Sequence, residues 1–190
     1  MIHPVTALDH DPTPPFEVVA SEELVRDGNL AFRRDRVRWP DGTEAGYRVI
    51  EAPNSVFMVP VHQDGSTVLV RQWRHTWGHT AWEVPAGTLE AREDPLAGAQ
   101  RELEEEVGLV AGRWTSLGVT HGTAIVTGRQ HLFLARDLSR VHRAPEAYER
   151  DMIIREMPLR EAVDAALRGE IEHAGSVTAL ARAARALGML

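Results

Sequence analysis

The stretch GTLEAREDPLAGAQRELEEEVGL, Gly87 to Leu109, decides how this chain is read. It carries seven acidic residues in 23 positions, three of them consecutive at Glu104, Glu105 and Glu106. Asp94-Pro95 is a helix start, with Asp as N-cap and Pro at the first helical position, and Gly108 is a natural stop. At about 100° per residue, Leu96, Ala99, Leu103 and Val107 fall in one arc, which predicts the buried face. Glu102, Glu105 and Glu106 fall in another, related as i, i+3 and i+4, so that neighbouring Cβ atoms lie roughly 5–6 Å apart. Glu104 points away from that cluster.

Three like charges on one helical face repel, at a cost of about a few tenths of a kcal/mol per pair. No lysine is interleaved, and the nearest base is Arg101. A run of glutamates is most often a solvated face. Carboxylates gathered on one arc are also a hard oxygen site suited to Mg²⁺ or Mn²⁺, ions that share their shell with substrate phosphates. The chemistry that goes with such a site is metal-assisted attack of water on phosphorus.

Working outward, residues 1–15 are rich in Pro, Asp and His and read as a loose tail. Residues 16–54 read as a small N-terminal antiparallel sheet, with Pro40-Asp41-Gly42 turning one hairpin. Residues 55–190 read as the main domain. There, SVFMVPVHQDGSTVLVRQWR (55–74) predicts a second hairpin about Asp64-Gly65, and TAWEVPAG (80–87) a strand ending at Pro85 and Gly87. WTSLGVT (114–120), RQHLFLARDL (129–138) and RDMIIREMPL (150–159) predict further strands. The period then turns helical. Leu159, Val163 and Leu167 share a face behind Pro158, with Gly169 closing that helix. A last helix runs over 176–188, with Ser176 as N-cap and Gly188 at its end. Strands on both sides of a central helix, with two helices to follow, point to a mixed α/β sandwich.

Composition fits one ordinary globular domain with a small appended lobe: 190 residues, 43% hydrophobic and 26% charged. The absence of cysteine excludes disulfides, thiolate catalysis and cysteine-based zinc sites. The pairs His75/His79 and His131/His142 lack further metal-type partners, so no zinc site is read. A net charge of −7 with no long basic run argues against a nucleic-acid partner. The longest apolar run, residues 55–61, is too short for a membrane span, and no signal peptide is evident at the start. The expectation is a soluble, cytoplasmic protein.

Gly87, Glu93, Arg101-Glu102-Leu103, Glu105-Glu106 and Gly108-Leu109 stand at spacings that resemble the Nudix hydrolase signature at all nine of its defined positions. The strand order around the stretch also resembles that family's α/β/α sandwich with a mixed sheet. The resemblance implies that Glu102, Glu105 and Glu106 hold Mg²⁺ or Mn²⁺ against a diphosphate, and that Glu93 and Arg101 tie the loop to the helix. WEVPAG (82–87) and VRQWRH (70–75) resemble the subgroup that hydrolyses ADP-ribose and other nucleoside diphosphate sugars. That resemblance implies a metal-directed carbonyl at Ala86, Arg71 and Arg74 on the substrate, and Glu83 on its sugar hydroxyls. It also implies a general base from the loop 144–152, where Glu149 is chosen over Glu146 and Asp151. The N-terminal sheet and RGEIEHAGSVTAL (168–180) resemble the same subgroup, in which the sheet is exchanged between subunits; this implies a homodimer.

One departure stands out. The subgroup carries a Pro roughly fifteen residues past the signature, followed by an acid. Here no Pro lies between 96 and 144, and Gly128 stands where the acid is expected. ADP-ribose leads as the expected substrate on the strength of the flanking segments WEVPAG and VRQWRH, ahead of GDP-mannose, UDP-glucose and other nucleotides. A non-catalytic nucleotide sensor is the other class.

Overall fold

In the computed structural model, which describes residues 12–143 and 151–190, the chain forms two compact units. One ends at Glu51 and the other runs from Ala52 to Leu190. The first is a three-stranded antiparallel sheet of β1 (Glu17–Asp27), β2 (Leu30–Arg38) and β3 (Glu44–Glu51), in that order. The second turn is built as Pro-Asp-Gly chemistry dictates. Asp41 accepts from the Thr43 amide, and Gly42 supplies the positive φ of 87°. Asp35, almost fully buried, is held by Ser21 at 2.5 Å and by Arg33 at 2.9 Å. These two partners draw its pKa below the ordinary aspartate range.

The second unit contains two sheets and three helices. A four-stranded mixed sheet has the order β7 (Ala86–Thr88), β4 (Ser55–Pro60), β9 (Arg129–Arg140), β8 (Leu109–His121), with β4 and β9 parallel. A three-stranded antiparallel sheet has the order β10 (Ile153–Pro158), β5 (Ser66–Arg74), β6 (His79–Glu83). The helices are α1 (Pro95–Val107), α2 (Leu159–Leu167) and α3 (Ala174–Ala186).

Strand alternation explains the continuous apolar runs. Phe57, Val59, Val61, Leu132 and Leu134 join a core with α2 and α3, whereas Val56, Met58 and Phe133 join a second core with Ala99, Leu103 and Val107 of α1. Residues on both faces of β4 and β9 are therefore buried, and an α/β/α sandwich results.

The structure corrects four local readings. Asp64-Gly65 does make a turn, closed by His62 donating to the Ser66 carbonyl, but β4 and β5 do not continue as a hairpin. After a single bridge between Val61 and Thr67 they part into different sheets. The last helix starts at Ala174, not 176, and Ser176 is buried within its first turn. Leu96 and Leu167, placed on buried helical faces by periodicity, are exposed. In α1 the buried set is instead Gly98, Ala99, Glu102, Leu103, Glu106 and Val107.

Candidate active site

The acidic helix is set by its ends. Asp94 accepts from the amides of Leu96 at 3.0 Å and Ala97 at 3.1 Å, Pro95 occupies the first turn, and Gly108 closes the helix in the left-handed conformation. Two of its glutamates then lie where apolar side chains normally go: Glu102 is 8% and Glu106 1% exposed. Burying a carboxylate costs several kcal/mol unless it is paired and hydrogen-bonded, so what each one meets matters.

Glu106 accepts from the backbone amide of Ala86 at 2.8 Å. Glu102 lies against Gly87, where a Cβ would fall on the carboxylate itself. Gly87 is thus required by close approach, not by an unusual φ. Arg101 is the hub. It makes two bonds of 3.0 Å to Glu93, one of 2.8 Å to Glu102 and one of 3.0 Å to Glu105. It also reaches the Thr88 carbonyl at 3.3 Å. Glu93 in turn accepts from the Glu90 amide at 2.8 Å. One guanidinium therefore binds loop to helix and offsets the repulsion among the carboxylates. Hydrogen bonding from Arg101 and from the Glu90 amide lowers the Glu93 pKa; the carboxylates raise that of Arg101 further. As they stand, Glu106 turns to Ala86 while Glu102 and Glu105 turn to Arg101. Among the described residues no three His, Cys, Asp or Glu groups gather closely enough to hold a metal ion. Glu104 is exposed on the other side of the helix. The helix end is tied by Arg143, whose Nε donates to the Glu106 carbonyl.

Arg71 and Arg74 are not brought together. Three apart on one strand, they leave it on opposite faces. Arg71 lies with its guanidinium carbon 5.5 Å from the Trp82 ring centre, and Arg155 lies over the same ring at 4.5 Å. Arg74 clasps Glu83 through two bonds of 2.6 Å. Glu83, expected at sugar hydroxyls, is fully buried, with its second oxygen also 2.9 Å from His173 Nδ1. Burial pushes the Glu83 pKa up, but hydrogen bonds and charge from Arg74 and His173 outweigh it and hold it below the ordinary value.

Glu149, with its neighbour Glu146, lies outside the described residues. Gly128 packs against the carbonyls of Ala52 and Pro53 so closely that no side chain fits there, which accounts for the missing acid at that position. Sequence reading missed Arg143 and His173, which carry no local signal, and read Ser176 as a cap, whereas Ser176 meets the Val84 amide across 92 residues.

The NUDIX domain family pattern matches residues 52–180. An ADP-ribose pyrophosphatase of Mycobacterium tuberculosis (strain ATCC 25618 / H37Rv) is 40% identical, over 86% of this chain and 78% of that protein. An ADP-ribose pyrophosphatase of Bacillus subtilis (strain 168) is 28% identical, over 77% of this chain and 80% of that protein. A solved crystal structure of an ADP compounds hydrolase superposes with a TM-score of 0.81 at 19% identity, covering 95% of this chain and 100% of that one.

Proposed function

The chain belongs to the Nudix family, and on that premise we propose that it is a divalent-cation-dependent pyrophosphohydrolase of nucleoside diphosphate derivatives. ADP-ribose is the preferred substrate in this reading, with AMP and ribose 5-phosphate as products. The relatives' activities support the reaction class. The observation that carries the reading is the pair of buried carboxylates, Glu102 and Glu106, on the core-facing side of α1.

A helix selected for stability alone would carry apolar groups there, because replacing buried charges with well-packed hydrophobic residues is often neutral or stabilising. The donor set suits a hard cation: carboxylate oxygens on one helical face, and room for Glu102 made by the missing Cβ of Gly87. Glu102, Glu105, Glu106 and the Ala86 carbonyl would hold Mg²⁺ or Mn²⁺. When bound, such an ion neutralises diphosphate charge and lowers the pKa of a coordinated water.

The chain's own groups do the rest. Arg101 keeps Glu102 and Glu105 within reach of the site. Arg74 presents a planar guanidinium to phosphate, and Arg71 is the second candidate to contact the substrate. Glu149 is assigned the proton of the attacking water. A homodimer is also proposed. Val18, Leu24 and Val25 of β1 and Leu30 of β2 are exposed in the single chain, as a sheet that pairs with a second subunit would leave them. No described helix is long and apolar enough to cross a membrane. A soluble, cytoplasmic enzyme is the reading adopted.

The absence of a Pro between 96 and 144 favours one alternative, a nucleoside diphosphate sugar other than ADP-ribose, such as GDP-mannose or UDP-glucose. The protein is to be incubated with Mg²⁺ or with chelator and a panel of such compounds, and the products identified by mass. Metal-dependent release of AMP and ribose 5-phosphate is expected. Faster turnover of GDP-mannose would replace the substrate, and no turnover of any diphosphate would remove the enzymatic reading.

A further inference from the structure

Glu83 poses a problem that the reaction alone does not answer. It is 0% exposed, and although burial pushes its pKa up, Arg74 and His173 hold it below the ordinary glutamate value. Two residues take its oxygens. Arg74, at the end of β5, gives Nε to one and Nη2 to the other, both at 2.6 Å. His173, at the N-terminus of α3, places Nδ1 2.9 Å from the second. A carboxylate only accepts, so that nitrogen carries the proton.

His173 is itself fixed. Its ring packs 5.0 Å from Phe57 and 5.7 Å from Trp77, centre to centre. Its Nδ1 lies 3.2 Å from Ser176 Oγ, which also accepts from the Val84 amide at 3.2 Å. Gly175 lets the helix approach Phe57 where a Cβ would collide with the ring. The turn after Arg74 is docked on the same segment, for His79 Nε2 meets Glu172 at 2.8 Å. The Trp77 and Gly78 amides both donate to the Arg74 carbonyl.

Resting on the pyrophosphohydrolase reading, we infer that His173 is a positioning residue for substrate binding: it and Arg74 share the Glu83 carboxylate, so that the α3 N-terminus aims the Arg74 guanidinium. A third of the Arg74 side-chain surface faces solvent. A guanidinium braced in this way meets a phosphate without losing rotamer freedom on binding. Glu83 then acts behind the arginine, not on the sugar. Contacts from Arg74 to a diphosphate persist from ground state to transition state, so loosening it weakens binding more than it slows the chemistry.

The test compares wild type, His173→Ala, His173→Asn, Arg74→Ala and the double variant His173→Ala/Arg74→Ala, using ADP-ribose with Mg²⁺ and thermal melts of each. The asparagine keeps a donor near the position of Nδ1. His173→Ala is expected to raise KM about tenfold with kcat within about twofold, and His173→Asn to restore most of the loss. In the Arg74→Ala background, His173→Ala should add nothing further to KM, because the two act through one carboxylate. An active wild type whose KM is unmoved by His173→Ala overturns this inference and leaves the reaction standing. So does an additive effect in the double variant. A wild type inactive on every diphosphate overturns the reaction, and the inference with it.

Discussion

Gly87 shows how a single missing atom shapes the site. The Glu102 carboxylate occupies the space a Cβ would take, so Gly87→Ala must push Glu102 out of its place while leaving the backbone conformation allowed. Displacing a catalytic group by about 1 Å costs on the order of 10²-fold in rate. Gly87→Ala is therefore expected to lower kcat/KM by about that factor, read in a steady-state assay beside a melting curve within a few degrees of wild type. Unchanged activity would show that Glu102 need not sit where it does. Glu83 carries a second prediction. Its pKa is lower folded than unfolded, so its ionised form stabilises the fold at pH above the unfolded value of about 4.3. That contribution declines as pH falls below this value and is lost once pH passes the folded pKa. Glu83→Gln should flatten the acid limb of stability against pH. It should also cost about 1–3 kcal/mol at pH 7, because Arg74 and His173 lose a charged partner. Chemical denaturation from pH 3 to 7 measures both, and an unchanged acid limb would contradict the assignment.

Among the elements, α1 was the most legible. Asp94-Pro95 and Gly108 state its ends in local chemistry, and the observed helix runs from Pro95 to Val107. Asp94→Ala should cost about 1 kcal/mol, or roughly 2–4 °C in melting temperature, by releasing two amides; a change of less than half a degree would mean that the cap is not needed. The strands were legible as apolar runs, but their partners were not. A turn at Asp64-Gly65 is written locally, whereas the sheet each flanking strand joins is decided by contacts with β9 and β10 far along the chain. Ser176 has the residue type of an N-cap, yet the Val84 amide claims it across 92 residues. The Glu83–His173 contact is hidden for the same reason. Amphipathic period also misplaced Glu102 and Glu106 outside the buried set, since it presumes that only apolar side chains are buried.

At the scale of the molecule, the family and the α/β/α layering were carried by nine residues and by strand alternation, while substrate choice and assembly lie outside that stretch. The exposed apolar side chains of β1 predict a dimer, so sedimentation at micromolar concentration should give about twice 21.1 kDa; a single species at the monomer mass would refute it. The buried acidic face of α1 is proposed to perform diphosphate cleavage. Glu106→Gln tests it most directly, because the amide oxygen can still accept from Ala86 and the shape is kept. With Mg²⁺ and saturating ADP-ribose, its turnover should fall by about 10³-fold or more relative to wild type, at nearly unchanged melting temperature. Turnover within a few-fold of wild type would contradict the account.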